Sequence, residues 1–324
     1  LFILAAAGFS CTTDNAASSG EGLLLSTPEA EGISSQAILD FVDGLEAEQT
    51  GKIHSFMLRR HGKVVASAWW DPYQPEYPHM LYSLSKSFTS TAIGMAIDEG
   101  LLSLDDEVVS FFPDKLPEEV SDHLAAMRIR DLLKMNTGHQ DDAVGRMQAK
   151  ESWVEGYLAL EVEHKPGTHF RYNSGATYML SAILQKVSGE TLLEFLQPRL
   201  FGPLGIEHPS WEMSPEGIHM GGWGLSITTG DISRFGQFLL QEGSWEGKQL
   251  VSKEWIREAT SFQTSNGSNP ESDWEQGYGY QFWMCRQGVF RGDGAFGQFC
   301  IVFPEQDAVL AMTSGTDDLQ GVLN

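Results

Sequence analysis

Basic residues are scarce in this sequence. Lysine and arginine together number 21, against 44 aspartates and glutamates, and the formal net charge is −23. An acidic surface without a basic cluster repels the phosphates of nucleic acids and the headgroups of anionic lipids. We therefore expect no nucleic acid as a partner.

Motifs that bind metals or phosphates are also missing. The 9 histidines and 3 cysteines do not form the closely spaced pairs that hold zinc, and no glycine-rich phosphate loop occurs. Cys285 and Cys300 are too few for a disulfide framework, and the sequence leaves open whether they pair or remain buried thiols. We expect neither a metal nor another cofactor. His79, His139 and His169 are expected to be structural or to lie at the rim of a site.

The beginning of the sequence resembles an export signal. The residues before Cys11 are mostly apolar and end in small side chains, which is typical of a leader that is cleaved on export. Cys11 is followed by polar residues, as at a bacterial lipoprotein site, so a lipid anchor at Cys11 is one expectation and an ordinary secretory leader is the other. Both predict export to the periplasm, the outer membrane or the outside of the cell. Residues 12–31 are rich in serine, glycine and glutamate and predict a tether.

Hydrophobic patterning predicts a single folded domain over residues 32–324. The 324 residues are 41% hydrophobic and 20% charged, enough for one large core. Strand-like segments lie near both ends with helical segments between them, which predicts an α/β (α+β) fold: one antiparallel sheet flanked by helices, with a helical lobe inserted. The α/β lobe would comprise about residues 32–90 and 221–324, the helical lobe about residues 91–220, and a cleft would lie between them. The predicted elements are a helix after Ser34 or Ser35, a hairpin of Ile53–Arg60 and Lys63–Trp70, helices near 122–135, 151–160, 174–188, 191–200 and 230–242, and strands at Tyr278–Arg286, Val289–Gly292, Gln298–Phe303 and Ala308–Thr313.

One segment places a serine one helical turn before a lysine. It runs from Tyr82 to Ser90 and continues into an apolar run that ends at Gly100, the pattern of a helix with a glycine C-cap. Ser83 and Lys86 would share one helix face, and a lysine whose pKa is lowered by burial can accept the serine proton. Alone, such a pair is expected about once by chance in a chain of this length, and a helix start rich in capping serines is the alternative.

Two further segments contain residues that would complete such a site. Tyr172 lies two residues before Ser174 at the start of a predicted helix, where a tyrosine can exchange protons with a neighbouring lysine. The glycine-rich segment from Gly292 to Gln298 lets a strand edge approach a ligand and present backbone N–H groups, as an oxyanion hole opposite the Ser83 N–H requires. Taken singly, these segments are equally typical of a packed loop tyrosine and of turn glycines.

The order of these segments resembles the serine β-lactamase and penicillin-recognising superfamily, of the class C type, over about residues 25 to 316. The resemblance implies that Ser83 is the acylated nucleophile and that Lys86 and Tyr172 are proton shuttles. It further implies that Ser174 assists Lys86 and that the backbone N–H groups of Ser83 and Ala295 form the oxyanion hole. The matching segments are Tyr82–Ser90, Ile129–Leu133, Pro166–Thr168, Tyr172–Ser174, Gly221–Leu225 and Gly294–Gln298.

One departure from the class C pattern concerns the substrate. Class C enzymes have a Lys-Thr-Gly strand that helps hold a substrate carboxylate, whereas this strand has Gly294, Ala295 and Phe296 and no cation. Tyr172-x-Ser174 with such a strand is more similar to the esterase and nylon-oligomer hydrolase branches. The resemblance therefore favours a carboxylesterase acting on short-chain esters. The alternatives are a β-lactamase or D,D-peptidase, an amide hydrolase of the nylon-oligomer type, and a non-catalytic binding or sensor protein.

Aromatic residues in the later part of the sequence predict an apolar acyl pocket, although a core position is the alternative for each of them. Arg291 and Asp293 are expected at a solvated strand end, and residues 262–276 are expected to form a surface loop at the rim of the cleft. The residues expected to contact substrate are Ser174, Gly294, Phe296 and Trp223, with Trp274 and Tyr278 as further candidates for the pocket wall.

The end of the sequence differs from the usual pattern of the family. Members close the sheet with a C-terminal helix, whereas this sequence stops at Asn324, shortly after the strand Ala308–Thr313. We expect a truncated end that leaves an apolar face of the sheet exposed. No pattern in the sequence indicates the oligomeric state.

Overall fold

The computed structural model describes residues 23–48 and 52–324. The predicted leader and the predicted lipid-bearing Cys11 lie outside the described residues, as does most of the predicted tether. No helix in the described ranges is long and apolar enough to cross a bilayer.

One antiparallel sheet is built from both ends of the chain. Its six strands stand in the order β2, β1, β11, β10, β9, β8, so the first hairpin pairs with the last strand. This arrangement confirms the predicted fold class. The strands are β1 (Ile53–Arg60), β2 (Lys63–Trp69), β8 (Trp283–Met284), β9 (Phe290–Gly294), β10 (Gln298–Phe303) and β11 (Ala308–Ser314), and short pairs elsewhere are β3 (His79–Met80), β4 (Ser210–Trp211), β5 (Leu225–Ile227), β6 (Ser244–Trp245) and β7 (Lys248–Gln249).

Helices flank this sheet and fill the middle of the chain. They are α1 (Ser35–Glu48), α2 (Ser85–Asp98), α3 (Asp122–Ala126), α4 (Ile129–Leu133), α5 (Val144–Met147), α6 (Trp153–Leu158), α7 (Ser174–Ser188), α8 (Leu192–Leu196), α9 (Gly202–Leu204), α10 (Thr229–Leu240), α11 (Lys253–Ala259) and α12 (Leu319–Leu323). The helix predicted at 174–188 is found with those bounds. The helix predicted at 122–135 is two helices, because Met127 and Arg128 between them adopt extended backbone. The proposed lobe boundaries stay a prediction.

The two faces of the sheet belong to different hydrophobic clusters. Along β11, Val309 and Ala311 face the main core, whereas Leu310 and Met312 face a smaller cluster with α1. This alternation is the two-residue period of a strand buried on both faces. Leu319, Val322 and Leu323 of α12 also pack against the smaller cluster, with a cavity of about 490 Å³ beside them.

Helix α2 lies at the centre of the main core. Every residue from Ser85 to Ala96 is buried, and Phe88 stacks on Phe235 at 3.8 Å between ring centroids. A fully buried phenylalanine contributes about 1.5–3 kcal/mol relative to an exposed one. The helix ends where predicted, because Gly100 has φ +72° and its N–H donates to the Ile97 carbonyl oxygen at 2.9 Å. The residues at the start of α2 are thus held in a rigid, water-free setting.

The predicted strand Tyr278–Arg286 is mostly irregular, and only Trp283 and Met284 pair as β8. Gln281 interrupts it with φ +68°. Its side chain donates to the carbonyl oxygens of Leu132 and Leu133 at 3.2 and 2.6 Å and accepts from Thr177 at 2.7 Å. These tertiary bonds outweigh the local strand preference of an aromatic-rich segment.

Candidate active site

Ser83 lies in a tight turn directly before α2. The turn, Tyr82–Leu84, is a single 3-10 turn that follows β3, and Leu81 is anchored to β5 by a 2.8 Å bond to the Leu225 carbonyl oxygen. Tyr82 has φ +47°, a left-handed conformation that costs a residue with a side chain about 1–3 kcal/mol. The surrounding contacts therefore hold Ser83 in a strained turn at the N-terminal end of a buried helix, half-exposed to the cavity described below.

The Lys86 amine contacts three oxygens. Nζ lies 3.0 Å from Ser83 Oγ, 3.1 Å from Ser174 Oγ and 2.8 Å from the Gly222 carbonyl oxygen. The residue is 1% exposed, and burial lowers the pKa of the Lys86 amine to about 7, although Asp142 and Asp293 oppose the change. Near neutral pH a large fraction of the amine is thus uncharged, with a lone pair available for the Ser83 proton.

Tyr172 lies beside the same amine. Lys86 Nζ is 4.7 Å from the centre of the Tyr172 ring, and the ring stacks on Trp283 with 5.3 Å between centroids. Burial raises the pKa of the Tyr172 phenol well above its usual range, while a hydrogen bond with Ser83 lowers it. The phenol therefore keeps its proton at neutral pH. Of the two expected proton shuttles, Lys86 is suited to accept a proton and Tyr172 to donate one.

Ser174 is positioned by two hydrogen bonds between the loop at Asp142 and the start of α7. Asn173 is the N-cap and accepts from the Ala143 N–H at 3.1 Å, while Asp142 accepts from the Ser174 N–H at 3.1 Å. A carboxylate is favoured at a helix N-terminus. Sequence reasoning missed Asp142, because it lies in an irregular loop with no periodic pattern. It also missed the contact between Lys86 and the Gly222 carbonyl, although the segment around Gly222 was among the matching motifs.

The glycines of β9 allow the strand to lie against the Ser83 turn. A Cβ atom at Gly294 would collide with the Leu81 carbonyl oxygen, and one at Gly292 would collide with Ser87 and Leu84. Only glycine permits this approach. Ala295, the next residue, is exposed and lines the same cavity as Ser83. Ser83 and Ala295, whose N–H groups are expected to form the oxyanion hole, therefore line the same cavity.

The cavity at Ser83 has a volume of about 230 Å³ and combines apolar walls with a few polar groups. No lysine or arginine is among its lining residues in the described part of the chain. Phe296, 42% exposed, packs edge-on against Tyr82 at 5.2 Å just beside it. The lining residues are Tyr82, Ser83, Asp142, Val144, Ser174, Gly222, Trp223 and Ala295.

Two residues expected in the pocket wall lie elsewhere. Tyr278 is 1% exposed and packs edge-on against Tyr172, and Trp274 packs on the Arg291 guanidinium at 4.6 Å. The expectation of a solvated strand end was also wrong, because Arg291 is fully buried and Asp293 is 8% exposed. The segment around Asp273 and Trp274 covers both side chains, because it contacts the Arg291 guanidinium and Trp274 hydrogen-bonds to Asp293.

No histidine or cysteine of the described residues lines this cavity. His79 bonds to His54 at 2.7 Å, and His139 is buried and bonds to Thr137 at 2.9 Å. Cys285 and Cys300 are free thiols. Within the described ranges, no group of three or more His, Cys, Asp or Glu side chains is arranged to hold a metal ion.

A serine bonded to a buried lysine at the start of a central helix, with an antiparallel sheet behind it, defines a hydrolase of the β-lactamase fold. A family model described as Beta-lactamase matches residues 43–321, and the chain belongs to this family, as predicted. It is 26% identical to the 6-aminohexanoate-dimer hydrolase of Paenarthrobacter ureafaciens over 290 residues, 82% of this chain and 73% of that protein. It is 27% identical to the lovastatin esterase of Penicillium rubens over 150 residues, 39% of this chain and 37% of that protein. The octameric penicillin-binding protein homologue of Pyrococcus abyssi matches with a TM-score of 0.69 and 21% identity, over 88% of this chain and 74% of that one.

The pKa of Lys86 predicts how the rate of ester hydrolysis changes with pH. If the neutral amine is the base, kcat/KM for an uncharged ester rises with pH through about 7 and then reaches a plateau, because the pKa of Lys86 is about 7. The Tyr172 phenol, whose pKa is raised, adds no decline in the neutral range. The measurement is kcat/KM between acid and mildly alkaline pH with a non-ionising ester. A rate that falls as pH rises through neutrality would contradict this assignment.

Proposed function

We propose that this protein is a carboxylesterase that hydrolyses short-chain esters through an acyl-enzyme on Ser83. The observation that carries the proposal is the buried Lys86 amine, 3.0 Å from the Ser83 hydroxyl and held by two further acceptors. A serine hydroxyl is a poor nucleophile unless a neighbouring base takes its proton. Because the pKa of Lys86 is lowered to about 7, its uncharged amine is available as that base near neutral pH.

The groups around Ser83 support each step of such a reaction. Ser83 Oγ attacks the ester carbonyl while its proton passes to Lys86 Nζ. The carbonyl oxygen becomes negative and is stabilised by the backbone N–H groups of Ser83 and Ala295. The leaving alcohol takes a proton from the Tyr172 phenol, which regains one from Lys86. Water then attacks the acyl-enzyme by the same route, and release of the acid restores Ser83.

The cavity walls favour an uncharged acyl group. Tyr82, Val144 and Trp223 supply apolar surface, and no cation of the described chain lines the cavity. A substrate carboxylate would therefore lose its hydration without gaining a charge-assisted bond. This argues for neutral short-chain esters over β-lactams and peptides ending in D-Ala-D-Ala, whose recognition uses a carboxylate.

Hydrolysis of linear amides is the second candidate. Asp142 places a carboxylate in the cavity wall, where it would attract an ammonium group on a substrate. The family relative from Paenarthrobacter ureafaciens is a 6-aminohexanoate-dimer hydrolase. Both observations favour an amide with an amino group at one end, cleaved by the same acyl-enzyme route.

A comparison of four substrates tests the preference. We expect kcat/KM to be highest for p-nitrophenyl butyrate and at least about a hundredfold lower for nitrocefin and a D-Ala-D-Ala peptide, a gap of roughly 3 kcal/mol in transition-state binding. The linear aminohexanoate dimer is the fourth substrate. If nitrocefin or the peptide reacts fastest, the esterase proposal fails, and saturable binding without turnover of any of the four would favour a non-catalytic protein.

The Asp142→Asn variant separates the two candidates. On the plateau of the pH profile its expected effect on the neutral ester is small, because the amide oxygen can still accept from the Ser174 N–H. If a linear amide with a free amino group is the preferred substrate, the same variant raises its KM and leaves that of the ester nearly unchanged. An equal loss for both substrates would instead indicate that Asp142 acts only by holding the start of α7.

A further inference from the structure

A buried ion pair lies on β9, next to the site. Arg291 is fully buried and its Nη2 atom lies 2.8 Å from Asp293 Oδ2, which also accepts from Arg291 Nε at 3.0 Å. The other terminal nitrogen of Arg291 contacts the Asp273 carbonyl oxygen and Cys285 Sγ, each at 2.9 Å. Removing two charges from water usually costs as much as their attraction returns, so a buried pair is weak evidence for stabilisation. The position of the Arg291–Asp293 pair next to the site instead indicates a role in the reaction.

Aromatic contacts connect this pair to the reacting groups. The Arg291 guanidinium lies 4.6 Å from the Trp274 ring centre and 5.9 Å from that of Trp283. Trp283 stacks on Tyr172 with an angle of 24° between the rings. Tyr172 in turn lies 4.7 Å from Lys86 Nζ. A continuous series of contacts therefore runs from Arg291 to the Lys86 amine.

Asp293 is also close to the site along the chain. Asp293 lies on β9, two residues before Ala295, and it pairs with Phe299 of β10. The path of β9 against the Ser83 turn is fixed by Gly292 and Gly294, which flank Asp293. The ion pair therefore lies between the strand end that carries Ala295 and the aromatic ring that supports Tyr172.

We infer that Arg291 and Asp293 are positioning residues for the reaction: the guanidinium holds Trp283 beneath Tyr172, and the carboxylate adds a negative charge, besides that of Asp142, to the electrostatic field at Lys86. This inference rests on the proposed function, in which Lys86 and Tyr172 exchange the proton of Ser83. It assigns separate tasks to the two members of the pair, one geometric and one electrostatic.

The charges around the proton-transfer groups determine the expected signs. Asp142 in the loop before α5 and Asp293 on β9 both raise the pKa of Lys86. Asp293 and Asp142 raise the pKa of Tyr172, and Arg291 lowers it. Tyr278, the other titratable group packed against Tyr172, is buried with a pKa well above its usual range and stays neutral. Loss of the Asp293 charge should therefore lower the pKa of Lys86.

Two variants separate the two tasks. Asp293→Asn removes the charge with little change in shape, so the acid limb of kcat/KM should move to lower pH. Arg291→Lys keeps the charge but loses the planar fork that bonds Asp293. It should lower kcat by about tenfold to a hundredfold, as expected for a misplaced catalytic group, with the acid limb unmoved. Asp231→Asn is the control, because Asp231 is also buried and paired with an arginine, Arg234 at 2.8 Å, but lies on α10.

A measurement that needs no turnover accompanies the kinetics. The method is NMR of protein whose lysines carry ¹³C at Cε, and the resonance that is missing from Lys86→Arg is assigned to Lys86. The change of its ¹³C shift with pH gives the pKa of the Lys86 amine. The chemical shift of the protons on the same carbon reports the position of the nearby Tyr172 ring. We expect a lower titration midpoint in Asp293→Asn and a changed proton shift in Arg291→Lys. If both variants match the wild type in titration and proton shift, the inference is overturned, whether or not the wild type hydrolyses esters. A wild type without ester hydrolysis overturns only the proposed function.

Discussion

Ser83→Ala is expected to remove turnover almost completely, with kcat lowered by roughly 10⁴- to 10⁶-fold. The variant keeps the cavity, the Lys86 amine and the oxyanion donors, but no oxygen remains to form the acyl-enzyme. Hydrolysis of p-nitrophenyl butyrate measures the loss. Intact-mass spectrometry after treatment with an alkyl phosphonate should show one adduct on the wild type and none on the variant.

Ser90→Ala is the matched control for this variant. Ser90 is a buried serine of α2, the helix that follows Ser83, and its hydroxyl has no hydrogen-bond partner among the described residues. Its removal should change neither the labelling nor kcat/KM appreciably. An adduct on another residue, or unchanged turnover in Ser83→Ala, would exclude the acyl-enzyme route on Ser83.

Lys86→Arg is expected to be nearly as damaging as Lys86→Met, each lowering kcat by about 10²- to 10⁴-fold. Arginine keeps a positive charge but does not release a proton at working pH. It must also fit a larger head group into a site where the lysine is only 1% exposed and already meets three acceptors. The measurement is kcat for a neutral ester, with thermal unfolding of each variant to verify that the fold is retained.

Lys115→Arg serves as the control for a lysine that acts through its charge. Lys115 pairs with Glu216 at 3.1 Å, and its side chain is 28% exposed. Arginine can make the same ion pair, so activity should persist. If Lys86→Arg also retains substantial activity, then Lys86 supplies only a charge, and another group must accept the Ser83 proton.

Local patterns, taken together with the order of the matching segments, were sufficient to select the central residues of the candidate site. Ser83 and Lys86 are one turn apart in sequence and in space, and the α7 start at Ser174 agrees with its capping pattern. Tyr172 reaches the same place from a distant segment because the loop before α7 packs on α2. The roles of these residues stay predictions, whereas their proximity is a property of the fold.

Other residues could not be placed from sequence, and the reasons are physical. Arg291 and Asp293 alternate along β9 as a strand requires, but their charge suggested solvent. What buries them is the irregular segment through Asp273 and Trp274, whose path depends on tertiary bonds. Asp142 was missed for the same reason, since its partner Ser174 is remote in sequence. Similar bonds at Gln281 replaced a predicted strand.

The pairing of β1 with β11 has a consequence for how the protein is made. Ile53 and Ser314 are register partners, so the sheet joins segments that leave the ribosome at very different times. Contacts this distant in sequence form slowly, because a long loop must be closed before they are gained. During synthesis, Ser83 and Lys86 leave the ribosome long before Ala295 does. The nascent chain then has an unfinished sheet, and the unpaired edge of β1 favours aggregation until the last strands emerge.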